Sequence, residues 1–120
     1  MSRSAQSVFV FGLYLIAVGG ALVAIPNPVL GLLGFPASSE IWPRIVGVLA
    51  LVLAFYYIRA ARQELTAFFR WTVQARAMVF TLFAAFVLLR LAPMPLLLLG
   101  TVDLLAATWT GLALRGAKTG

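Results

Sequence analysis

The feature that most constrains this chain is the stretch Leu96 to Leu114, LLLLGTVDLLAATWTGLAL. It is nineteen residues long and carries one charge, Asp103, near its middle. About 20 residues at ~1.5 Å rise cross a ~30 Å hydrocarbon core, so the length matches a membrane-spanning helix. A carboxylate at that depth has an apparent insertion cost of roughly 2.5 to 3.5 kcal/mol. Such groups usually face a bundle interior or a wet cavity, paired with something.

Three further apolar runs accompany it. Val8 to Ile25 is uncharged over eighteen residues and ends at Pro26-Asn27-Pro28. A secretory signal is the alternative for this run, but it is longer than an ordinary signal core, and a retained span is expected. Ile41 to Ile58 holds one charge, Arg44. Thr72 to Leu91 has Arg76 near one end and Arg90 near the other, with only thirteen residues strictly between them. Both arginines must then reach outward to headgroups, or one must point into protein.

Composition agrees with this count. With 63% hydrophobic and 10% charged residues in a 120-residue chain, a soluble domain could not hide its apolar surface. The expected fold is therefore all-α, a four-helix integral membrane bundle forming one domain over residues 1–120. Its spans fall at about 8–25, 41–58, 72–91 and 96–114. Val29 to Phe35 is too short to span and is expected to lie at the interface, and Ser38 or Ser39 is a candidate N-cap for the second span. Arg59 to Arg76 has a basic face and an apolar one, the pattern of a surface helix or of an extension of the second span. Ala17 with Ala21, and Gly20 with Ala24, offer small faces for close helix approach.

Nine Lys or Arg against three Asp or Glu give a net charge of +6. Because the basic residues cluster at span ends, lipid headgroups and topology explain them, and nucleic acid is not an expected partner. With a cytoplasmic N-terminus, Arg3, Arg59, Arg62, Arg70, Arg76, Arg115 and Lys118 fall inside, and only Arg44 and Arg90 fall outside. Both termini are then cytoplasmic, in a multi-pass protein of the bacterial inner membrane. His and Cys are absent, which removes the commonest ligands of haem, iron–sulfur, zinc and copper. No metal and no cofactor are expected, although a lipid or a quinone would suit a polar pocket.

Gly100, Asp103, Ala107 and Gly111 share a stripe on the fourth helix, so Asp103 is expected to point inward, ~10 Å below the outer boundary. Its expected partner is Arg90 or Arg44. Arg90, taken as helical, leans toward its own N-terminus and so toward Asp103; Arg44 leans away. Arg44 also stands four residues after Glu40, a spacing that permits an ion pair, and it either snorkels to the headgroups or turns inward. The site residues expected from sequence are thus Asp103, Arg90, Arg44 and Glu40. Such a pair either fixes helix register or lines a pocket for a small amphipathic or anionic ligand. A proton relay is disfavoured, since a nearby arginine would hold Asp103 ionised.

The second span opens on RIVGVLAL, Arg44 to Leu51, and leaves through YYIRAAR, Tyr56 to Arg62. With four spans in this length and an acid in the last helix, the chain resembles the DoxX-like group of small bacterial membrane proteins. The resemblance implies an accessory role, in some members beside quinone-linked oxidoreductase complexes, or small-molecule binding at Arg44 and Asp103. The expected function is an accessory or ligand-binding membrane protein, not an enzyme, alone or in a larger complex or homo-oligomer. The rival is an oligomeric small-solute transporter or channel, since four short spans are few for enclosing a pathway alone.

Overall fold

The computed structural model describes residues 1–119 and is all-α. Its helices are α1 (Arg3–Ala24), α2 (Pro26–Leu32), α3 (Trp42–Arg62), α4 (Thr66–Leu88) and α5 (Leu96–Thr119). Four of them, all but α2, are long and apolar enough to cross a membrane.

Local chemistry sets the boundaries. Ser2 caps α1 by accepting from the Ala5 amide at 3.1 Å, and Pro26 ends that helix because it has no amide to donate. α2 begins on the same proline. It ends in a Schellman turn, with Phe35 donating to Leu30 and Gly34 to Gly31 around a left-handed Gly34. α3 and α4 close in the same way without glycine. Glu64 (φ 55°) and Arg90 (φ 59°) take the left-handed position, while Leu65 donates to Ala60 and Leu91 to Phe86. Neither Ser38 nor Ser39 caps α3. Ile41 precedes that helix without a side-chain cap, and the Ser38 hydroxyl instead accepts from the Glu40 amide. Residues 59–76 form no separate surface helix. The turn at Glu64 divides them between the last turns of α3 and the first turns of α4, which starts at Thr66 rather than Thr72.

α1 packs along α3, α4 packs along α5, and α1 joins the two pairs by lying against α5. The Cα envelope measures 50 × 30 × 16 Å, so the array is flattened to about one and a half helix diameters. α3 and α4 are consecutive in the chain yet make no extensive contact. They meet beside their link, where Tyr57 and Phe68 stack edge to face at 5.4 Å. All six prolines lie toward one end of the array, and Arg3, Arg59, Arg62, Arg70 and Arg115 toward the other.

The α1–α3 contact depends on glycine. A Cβ on Gly47 would sit 2.7 Å from the Gly19 carbonyl oxygen, and one on Gly19 would sit 2.8 Å from that of Gly47. The backbones therefore touch. Gly20 faces open space, so the small faces at spacing four are not the ones used. On α5 the expected stripe does pack: Gly100 lies against Phe80 and Phe83 of α4, and Ala107 is buried.

Candidate polar site between the helix pairs

Among the described residues, the buried polar side chains are Ser4, Ser7, Thr72, Arg76 and Thr110, and all lie where α1, α4 and α5 meet. Arg76 is the centre. It is only 2% exposed, and its guanidinium is held by its neighbours' dipoles. Nε donates to the Thr72 carbonyl at 3.1 Å, and Nη2 donates to the hydroxyls of Thr72 (3.0 Å) and Thr110 (2.9 Å). The Thr110 hydroxyl also shares a 2.7 Å hydrogen bond with Ser7 of α1. One face of the guanidinium lies 4.8 Å from the centre of the Phe11 ring, a cation–π contact. Phe11 in turn stacks on Tyr14 and Tyr57, with both ring centroids 5.4 Å away.

A guanidinium has five N–H donors, and Nη1 carries two of them. Nη1 is buried and has no hydrogen-bond partner. An unmet charged donor in an apolar interior is costly, and among the described residues this is the buried side-chain nitrogen or oxygen that lacks a partner. Three other polar groups share its surroundings. Asp103 on α5 lies in the field of Arg76; Tyr14 on α1 and Tyr57 on α3 lie in the field of Asp103. None of the Asp103 carboxylate, the Tyr14 hydroxyl and the Tyr57 hydroxyl has a hydrogen-bond partner among the described residues. Each of the four long helices thus contributes one group with unused hydrogen-bonding capacity: Tyr14, Tyr57, Arg76 and Asp103.

The ion pairs expected from sequence are not formed among the described residues. Arg90 does not lean toward Asp103, because it is not helical. It occupies the left-handed position that closes α4 and is exposed at the proline-rich end beside Pro93 and Met94. Arg44 neither pairs with Glu40 nor turns toward Asp103. Its Nη1 donates to the carbonyl of Val23, one of the last carbonyls of α1, which Pro26 leaves without the amides of a further turn. Glu40 is exposed, and its amide is bound to Ser38. Of the four expected site residues, only Asp103 is half-buried with a cation acting on it, and that cation is Arg76.

The residue that sequence reasoning did not nominate was within reach. Thr72 and Arg76 are four apart on one helix face, and Ser4 and Ser7 on α1 and Thr110 on α5 lie toward the basic ends of their helices. No protein-family profile, curated protein or solved structure matches the chain.

Proposed function

We propose that the protein is a non-enzymatic, multi-pass protein of the bacterial inner membrane. In this reading it holds the polar head of a small amphipathic molecule at Tyr14, Tyr57, Arg76 and Asp103. The observation that carries the proposal is the buried Arg76 Nη1 without a partner, on a guanidinium that interacts electrostatically with Asp103 and Tyr57, neither of which makes a side-chain hydrogen bond among the described residues. The set offers donors from arginine and tyrosine and an acceptor from aspartate, with one positive and one negative charge. A neutral head bearing both a carbonyl or ether oxygen and a hydroxyl answers both kinds of demand and adds no buried charge. A quinol-type ring or the glycerol backbone of a lipid has that chemistry. The membrane setting draws support from the four long apolar helices, and cytoplasmic termini follow from the distribution of basic residues. An accessory role beside a larger complex, as the DoxX-like resemblance implies, fits the same site.

The test is thermal stabilisation of the purified protein in micelles by a short-chain ubiquinol and by a diacylglycerol. At least one should raise the melting temperature of the wild type, and Arg76→Gln and Asp103→Asn should each lose that response. Equal stabilisation in wild type and both variants, or none by either probe, would remove the interior site as a binding site.

A further inference from the structure

A second polar feature lies at the opposite, proline-rich end, and the interior site does not use it. The segment around α2 and the start of α3 border an open groove of about 350 Å³, lined by Ile25, Asn27, the prolines of α2, Ser38, Ser39, Glu40 and Arg44. Its walls are locked together, since the Ser38 amide donates to Asn27 Oδ1 at 2.9 Å and the Glu40 amide to the Ser38 hydroxyl at 3.1 Å. Arg44 and Glu40 flank the groove with opposite charges and make no ion pair with each other. Arg44 is committed through one nitrogen to the Val23 carbonyl, which tethers the guanidinium and leaves its other N–H groups available. The Glu40 carboxylate has no partner among the described residues. Phe35 and Trp42 pack edge to face, with centroids 6.4 Å apart, at the same end; aromatic rings of this kind favour the headgroup level of a membrane.

A tethered cation and a carboxylate without a partner among the described residues, both lining one small groove, match a zwitterion, and a phosphoester carrying a primary ammonium presents both charges on one short head. We propose that this groove binds a phosphoethanolamine head. The phosphate sits on Arg44 and the Asn27 amide, and the ammonium on Glu40. A purely anionic head gains Arg44 but meets repulsion from Glu40, so the groove discriminates by the sign of its second charge. The inference rests on the membrane reading above for its lipid source and is independent of the interior site.

Native mass spectrometry of the full chain in micelles tests it, with equimolar phosphatidylethanolamine and phosphatidylglycerol of identical acyl chains. The wild type should carry phosphatidylethanolamine in preference by about fivefold, the scale of one exposed charge pair. Glu40→Gln, an exposed change, should bring the ratio near one by raising phosphatidylglycerol occupancy, and Asn27→Ala should lower both adducts. Soluble glycerophosphoethanolamine separates the two sources: displacement of the lipid assigns recognition to the head alone, and retention assigns it to the whole lipid. An absent preference in wild type, or one that survives Glu40→Gln unchanged, overturns the proposal. If the chain proves not to partition into membranes, yet the soluble head binds in a Glu40-dependent way, the membrane reading fails and the groove assignment stands.

Discussion

α1 meets the helices on its two sides by different means. Against α3 the close approach is made of absence: Gly19 and Gly47 let two backbones touch, and the polar link between the two helices, from Arg44 to the Val23 carbonyl, lies apart from it toward the proline-rich end. Against α5 and α4 it is made of hydrogen bonds, with Ser7, Thr110, Thr72 and Arg76 forming one connected set. The first interface tolerates no added atom, whereas the second tolerates no lost one. A close approach that rests on van der Waals contact has little spare energy to offset a misfit, because lipid offers its side chains equally good apolar surroundings. A hydrogen-bonded seam between apolar helices has the converse weakness, as each partner removed leaves a buried donor or acceptor unmet.

That contrast can be broken by substitution. The largest effect is expected from Gly47→Val, whose side chain must displace the Gly19 carbonyl and the Leu22 and Val23 side chains. It should cost about 3 kcal/mol in reversible unfolding from micelles, the upper range for overpacking. A loss under 1 kcal/mol would show that the helices can part cheaply. Next comes Thr110→Val, nearly isosteric, which removes the oxygen shared by Ser7 and Arg76. A loss of about 2 kcal/mol is expected in the same measurement, since a charged donor loses a partner. If Thr110→Val cost more than Gly47→Val, the ranking of the two interfaces would be reversed.

The smallest effect lies at the basic end, where the Ser2 amide and hydroxyl both bond the Glu64 carboxylate and tie the start of α1 to the α3–α4 turn. These bonds, the amide first and then the hydroxyl, hold the Glu64 carboxyl below its ordinary value. A depressed folded-state pKa contributes stability that is present above the unfolded value of ~4.3 and is lost as pH falls through the folded one. Glu64→Gln should therefore destabilise by about 0.5 kcal/mol at pH 7, limited by solvent screening. The penalty should shrink as pH falls below ~4.3, as read from paired unfolding curves at neutral and acid pH. A penalty that persists at low pH would assign Glu64 to turn geometry rather than to its charge.

How far the amino-acid sequence carries the fold follows from the same particulars. The helix from Leu96 was legible because a nineteen-residue apolar run leaves few options, and Pro26 and Pro93-Met94-Pro95 punctuate the chain by chemistry that tertiary packing does not alter. The ends of α3 and α4 were less legible, because Glu64 and Arg90 occupy a left-handed position that glycine would ordinarily announce. That miss carried over to the site. With Arg90 read as helical, its side chain aimed at Asp103; placed past the end of α4, it cannot. The thirteen-residue gap required one arginine to resolve the conflict, and which one turned inward depended on hydroxyls from other helices. Spacing along a single helix does not reveal them. The glycine contact was misassigned for a related reason. Small residues at spacing four mark several faces of α1, and only the partner backbone selects Gly12 and Gly19 over Gly20.

The tether between Arg44 and the Val23 carbonyl has a broader consequence. It shows a cation in an apolar helix provided for by the end of a neighbouring helix, with no acid involved, and Arg76 is largely provided for in the same manner by a peptide oxygen and two hydroxyls. Peptide and hydroxyl dipoles do not titrate. A chain with three acids for nine bases can thus hold these two arginines by groups whose charge does not change with pH.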